Sequence, residues 1–363
     1  MFYILALLLA FFLSVVLTGA VRRFAVARGL VSAPRARDSH KKPLPRIGGL
    51  AIFLSFLLVS MIYFVFVHPG AEISAGHWLG LDKKIVGIWL ASAVIVVVML
   101  IDDLKNLPAL VKLFFQLLAV AIIVASGIGI DFLPNPFGAA INLNSVYIPL
   151  NFAGTTYHFS LWSDLLTAVW LIGMMNVVNF IDGVDGLAAG ISAIAALTLF
   201  FLSLIVFQPA VAMIAIILTG ATLGFLLWNF YPAKIFMGDC GSMFLGLMLG
   251  VLPLISGGKL ATAFLVLGFA IIDGLIVAAV RLAHGKNPLT TPDKTHLHHR
   301  FLAAGFSVPQ AVISLYLIAA LFGWVALRTT TLDKIIASSI LIVLVAVLIL
   351  VLNSIKKKRS AIK

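Results

Sequence analysis

The stretch FYILALLLAFFLSVVLTGA, residues 2–20, contains no charged side chain. It is about as long as the roughly 20 apolar residues a helix needs to cross hydrocarbon. No basic segment precedes it, and Arg22 and Arg23 follow it. It therefore reads as a retained span with its N-terminus outside, not as a cleaved signal peptide. Working outward, ten similar stretches follow, at 47–67, 85–101, 109–127, 162–180, 186–206, 209–229, 240–257, 260–283, 307–328 and 333–353. The 363 residues are 62% hydrophobic and 10% charged, with a mean hydropathy of +1.17. A soluble domain carries about 25% charged residues. One or two soluble globular domains are excluded. The expected fold is an all-α polytopic membrane protein, a bundle of about eleven transmembrane helices forming a single integral-membrane domain over 1–363.

The formal charge is +12, from 25 Lys and Arg against 13 acids. Nucleic acid is not the implied partner, because cytoplasmic loops of membrane proteins are themselves rich in Lys and Arg. With the N-terminus outside, twenty basic residues fall on the inner face and five on the outer, namely Lys83, Lys84, Lys259, Arg328 and Lys334. The C-terminus is then cytoplasmic. The cytoplasmic segments are a loop at 21–46, a His-rich loop at 281–306 and a basic tail at 354–363. The segment 128–161 lies outside, where Pro134, Asn135, Pro136 and Gly138 precede an alternation at Ile141, Leu143, Val146, Ile148 and Leu150. That pattern predicts a small periplasmic β-hairpin serving as a structural cap. The single Cys240 excludes an internal disulfide.

The acids are unevenly placed. Asp38, Asp102, Asp103, Asp182, Asp185, Asp239 and Asp293 gather on the inner face, and Asp273 lies within the ninth span. Asp102-Asp103 ends the third span, where adjacent carboxylates repel unless a cation or a lysine such as Lys105 or Lys112 neutralises them. In NVVNFIDGVDGL, Asn176 and Asn179 share a helix face, and Asp182 and Asp185 each precede a glycine. Lipid does not reward such polar groups at its edge. In NFYPAKIFMGDCGS (229–242), Pro232 stops helix continuation and Asp239 and Ser242 open the eighth span. An oxygen-rich site built from inner-face Asp residues suits Mg²⁺, with Mn²⁺ as an alternative. Phe236 either stacks on a base or packs internally. Asp273 is either functional or a buried partner of Arg281 or a lysine. His296, His298 and His299, followed by Arg300, suit a diphosphate better than zinc, since no Cys lies nearby. The basic segment 38–49 would anchor at anionic headgroups, but anchoring leaves its paired Pro and Gly residues unexplained.

These elements, in this order, resemble the polyprenyl-phosphate N-acetylhexosamine-1-phosphate transferases. The matching pieces are HKKPLPRIGG (40–49), DDLKNLPALVKLFFQ (102–116), NVVNFIDGVDGLAAG (176–190), NFYPAKIFMGDCGS (229–242) and DGLIVAAVRLAHGKNPLTTPDKTHLHHR (273–300). The peptidoglycan branch, which transfers phospho-MurNAc-pentapeptide, usually carries three consecutive His before an acid and a TPTMGG segment. HLHHR and LPRIGG look more like the GlcNAc-1-phosphate branch, which starts O-antigen, enterobacterial common antigen, teichoic acid or arabinogalactan synthesis.

The resemblance implies a UDP-N-acetylhexosamine donor, undecaprenyl or a similar polyprenyl phosphate as acceptor, Mg²⁺ and an active site on the cytoplasmic face of a bacterial inner membrane. The expected catalytic set is Asp102, Asp103, Asp239 and His298, with Asp239, Asp102 and Asp182 as metal ligands. The expected substrate-binding set is His40, Lys41, Lys112, Asn176, Asn179, Asp182, Asp185, Asn229, Phe236, Asp273, Arg281, His296, His299 and Arg300. A homodimer is left open. The alternatives are the MurNAc-pentapeptide reaction and, in another class, a secondary transporter. No internal repeat supports the transporter, and most motif residues collect at one membrane face.

Overall fold

A computed structural model of the chain describes residues 1–31, 43–68, 71, 73, 76–78, 80–133, 135, 138–152, 155–257, 259–283, 285, 296–329 and 331–362. All eleven apolar stretches are helical: α1 (Phe2–Ala27), α2 (Gly49–Met61), α3 (Lys83–Lys105), α4 (Ala109–Ala125), α5 (Leu161–Ile181), α6 (Leu187–Ile205), α7 (Pro209–Asn229), α8 (Gly238–Ile255), α9 (Leu260–Ala283), α11 (Val308–Arg328) and α12 (Thr331–Ile362). The short helix α10 (Leu297–Ala304) lies between α9 and α11. A π-helical stretch, Ile62–Val67, prolongs α2.

Ten of these helices are long and apolar enough to cross a membrane, which makes the chain a multi-pass membrane protein. The expected fourth span, α4, is shorter than these, yet it starts at the carboxylate Asp239 where α5 ends, so it carries the chain to the opposite end of the bundle. At 17 residues, α4 reaches only about 25 Å at 1.5 Å per residue, against about 30 Å of hydrocarbon. Pro108 bounds it at one end and Gly127, at φ +82°, follows its other end.

Helices in lipid gain nothing from hiding apolar surface from one another, so close packing rather than hydrophobicity must hold them together. Small residues supply it. Gly220 and Gly224, one turn apart on α7, lie against the backbone carbonyls of Leu7 and Phe11 on α1, where a Cβ would collide. Gly246 and Gly250 on α8 do the same against Met174, Met175 and Leu171 of α5. The centre of the bundle is α8, in which every residue is buried except Asp239.

Outside the helices, the described residues form three antiparallel pairs. β1 (His77–Trp78) pairs with β2 (Leu81–Asp82), and β3 (Phe132–Leu133) with β4 (Ile141–Asn142). β5 (Tyr147–Phe152) pairs with β6 (Thr155–Ser160), with Tyr147 opposite Ser160. The expected single hairpin at 128–161 is thus two paired segments: Leu143 N–H donates to Asp131 O and ends the first pairing before the second begins.

Candidate active site

The site forms where α3 ends, α4 and α8 begin and the α5–α6 loop turns. It starts with a backbone zipper between segments some 190 residues apart. Phe236 N–H donates to Pro45 O (2.8 Å), Gly48 N–H to Phe236 O (3.0 Å) and Gly49 N–H to Met237 O (2.8 Å). This explains the paired glycines of LPRIGG. A Cβ at Gly49 would meet the backbone of Gly241, and one at Gly48 the ring of Phe225 and the carbonyl of Phe236. Gly238 adopts φ +75°, a region that L side chains rarely enter, with the Arg46 carbonyl and the Asp103 carboxylate beside it.

Two adjacent carboxylates have diverged in role. Asp103 Oδ1 accepts from Asp239 N–H (2.8 Å) and Oδ2 from Cys240 N–H (3.0 Å). It satisfies amides that the first turn of α8 leaves unpaired, and its charge suits the positive end of the helix dipole. The expectation placed it in the catalytic set; in the structure both its oxygens accept backbone amides at the start of α8. Asp102, buried, accepts from Leu107 N–H (2.6 Å) and from Lys112 Nζ (2.9 Å). The turn that brings Leu107 back passes through Asn106 at φ +53°.

Lys112 Nζ also reaches Asp239 Oδ2 at 3.3 Å, so one ammonium ties α3, α4 and α8 together. The other Asp239 oxygen accepts from Asn179 Nδ2 (3.1 Å), which also donates to Ser242 Oγ (2.9 Å). Asp239, Asp102, Lys112 and Asn179 are therefore assembled as the sequence reading expects. Asp182 follows α5 and stands in the field of Asp239 and Asp103. Burial, then those two carboxylates, hold its carboxyl well above the usual range, while Arg46 opposes them. Arg46 itself lies with its guanidinium 5.6 Å from the centre of the Phe236 ring. Sequence reasoning counted Arg46 only among the rim charges.

Other expected substrate ligands hold the scaffold. Asp185 Oδ2 accepts from Ala233 N–H (2.9 Å). Asn229 accepts from Gly186 N–H (3.1 Å) and donates to Ile235 O (3.0 Å). Both are buried, and together they clamp the 229–237 loop to the loop between α5 and α6. Asn176 Nδ2 turns back to Ile172 O, one turn earlier on its own helix, instead of reaching into the site. Arg300 Nη1 donates to Asn353 Oδ1 of α12. Arg281 is buried in the last turn of α9.

Asp273 has a partner, but it is neither Arg281 nor a lysine. Its Oδ2 lies 2.9 Å from His296 Nδ1, and its Oδ1 accepts from Leu297 N–H (2.9 Å). It thereby caps α10 and fixes the His296 ring. His296 and His298 lie parallel with centroids 5.7 Å apart, and His299 packs on His298 at 4.3 Å. His298 abuts Gly183, the residue after Asp182, so the histidine helix borders the carboxylate loop. Burial holds the His298 imidazole well below its usual range, with His299 and His296 adding to the effect. His40 and Lys41, like most of the 281–306 loop before His296, lie outside the described residues.

Among the described residues no three His, Cys, Asp or Glu side chains converge into a ready metal cage. The donor chemistry nevertheless fits a hard cation: carboxylate and amide oxygens, with Asp102, Asp103, Asp182 and Asp239 set against Lys112 and Arg46. Mg²⁺ binds through one or two carboxylates, keeps waters and takes substrate phosphates, so it needs no cage made of protein alone.

Residues 85–257 match glycosyl transferase family 4. The chain is 32% identical over 330 residues to a probable undecaprenyl-phosphate N-acetylglucosaminyl 1-phosphate transferase of Bacillus subtilis, covering 88% of this chain and 82% of that one. It is 34% identical to a decaprenyl-phosphate N-acetylglucosaminephosphotransferase of Mycolicibacterium smegmatis, covering 87% and 79%. A phospho-N-acetylmuramoyl-pentapeptide-transferase of Staphylococcus aureus is 28% identical, covering 89% and 97%. The chain belongs to glycosyl transferase family 4, among its polyprenyl-phosphate sugar-1-phosphate transferases.

Proposed function

We propose that this enzyme transfers GlcNAc-1-phosphate from UDP-GlcNAc to undecaprenyl phosphate or a similar polyprenyl phosphate, releasing UMP, as the first membrane step of a cell-envelope polysaccharide. The observation that carries this is Lys112, bound at once by Asp102 and Asp239 at a polar end of an otherwise apolar bundle. The names and identities of the relatives favour GlcNAc over MurNAc-pentapeptide. Membership in a transferase family sets the transporter aside. The twenty-to-five charge split supports a cytoplasmic site in a bacterial inner membrane.

Both reactants are anions, so the barrier is mostly charge repulsion and misalignment, and catalysis is mostly clamping. The lipid phosphate has a second pKa near 6 and is largely dianionic at neutral pH, so a general base contributes little. It attacks the β-phosphorus of the donor directly; the new bond is lipid oxygen to β-phosphorus, and the bond to the bridging oxygen breaks to release UMP. Lys112 steers the incoming phosphate. Asp103 holds Asp239 in place through α8, and Asn179 orients its carboxylate. Asp239 and Asp182 would hold Mg²⁺, which when bound neutralises the donor phosphates and the charge developing on UMP. His296, His298 and His299 stand beside that loop, where the sugar phosphate would lie.

The test is a donor screen with purified protein and undecaprenyl phosphate, reading UMP. UDP-GlcNAc should be the best donor, UDP-MurNAc-pentapeptide should be inert, and EDTA should stop release until Mg²⁺ is returned. Turnover of the pentapeptide donor, or full activity in EDTA, would contradict the proposal.

A further inference from the structure

Two anions must be held, and among the described residues Lys112 and Arg46 both stand with the carboxylates of the site. Lys112 closes the first turn of α4, a helix whose Leu110, Phe114 and Leu117 side chains are exposed and apolar on another face. That apolar surface puts α4 at the lipid edge of the bundle, and Lys112 is the cation this helix brings to the carboxylates. Arg46 lies in a loop, with its guanidinium over the Phe236 ring and in the field of Asp182.

The main chain around Arg46 is unusually constrained. Pro45 accepts from Phe236 N–H, Gly48 and Gly49 donate to Phe236 and Met237, and the Arg46 carbonyl abuts Gly238. A guanidinium with one face on an aromatic ring turns its N–H edge sideways, and such an edge takes phosphate oxygens two at a time.

We infer that Arg46 is the donor-binding cation of this site: held beside Phe236, it takes the phosphate next to the nucleoside and so sets the affinity for the nucleotide donor and for the UMP product. This rests on the transfer reaction proposed above. The residue is a point of specificity as well, since a lysine would keep the charge but lose the planar fork.

The experiment compares wild type, Arg46→Lys and Arg46→Met as purified full-length proteins with undecaprenyl phosphate. KM for UDP-GlcNAc, KM for the lipid and inhibition by UMP are measured, with UMP binding followed separately by calorimetry. In Arg46→Met the donor KM and the UMP inhibition constant should both rise by about tenfold or more, the loss expected for one charge-assisted phosphate contact. Its lipid KM should stay within about twofold, and Arg46→Lys should recover only part of the donor affinity. A purely structural role would lower kcat with the folded fraction and leave both KM values and UMP binding unchanged; that result overturns the inference. So does a rise confined to the lipid KM. If Arg46→Met does not fold, Arg46→Lys decides by the same constants. Wild type inactive on UDP-GlcNAc would instead reject the proposed reaction.

Discussion

Asp239→Asn should lower lipid-dependent UMP release by about a thousandfold, in the range seen when a single preorganised electrostatic contact to a reacting phosphoryl group is lost. Asp239 is the one residue of α8 that is not buried, and its two oxygens are divided between Lys112 and Asn179. The amide keeps the shape and one oxygen but removes the negative charge. It also gives Lys112 a neutral neighbour and leaves a hard cation with one carboxylate fewer. The backbone amide of residue 239 still donates to Asp103, so the start of α8 is preserved. The variant should therefore insert and melt like wild type. Activity within a few-fold of wild type would remove Asp239 from the chemistry.

The second large effect is on assembly. Gly49→Ala should destabilise the protein by about 3 kcal/mol or more, at the upper end for overpacking, because the new methyl runs into the α8 backbone at Cys240 and Gly241 and no rotamer can move it away. The Gly49 amide donates to the Met237 carbonyl just before Asp239, so the same collision displaces the Asp239 carboxylate. Thermal melting in detergent reads the effect, and Gly173→Ala is the control. Gly173 has nothing within 4 Å of its Cβ position, and alanine is the better helix former. Equal melting of the two variants would mean that the zipper does not hold the site.

Much of this was legible in the sequence because membrane spans are long, local signals. The helix ends fall within a few residues of the apolar stretches, except that α1, α3 and α12 run on past their basic or acidic ends. The convergence of Asp102, Lys112, Asn179 and Asp239 follows from their shared place at helix ends. What the sequence hides is the direction of each side chain once loops fold back. Asp185 and Asn229 look like ligands because they are polar and adjacent to glycine or proline, yet their atoms serve backbone amides and carbonyls of neighbouring loops. Asp102 and Asp103 are indistinguishable as a dipeptide. On a helix, successive residues point about 100° apart, which sends one to Lys112 and the other to α8. The zipper joining Pro45–Gly49 to Phe236–Met237 is non-local and leaves only the glycines as a trace. α10 is hidden among His and Arg residues that read as a loop, and its start depends on Asp273, from another helix.

The central claim is direct transfer of a sugar phosphate from nucleotide to lipid. It is tested by giving the purified enzyme UDP-GlcNAc radiolabelled at the β-phosphorus, with and without undecaprenyl phosphate. The label should move to the lipid fraction only when lipid phosphate is present, with one UMP formed per label transferred. Label trapped on the protein without lipid, or released as free phosphate, would contradict it.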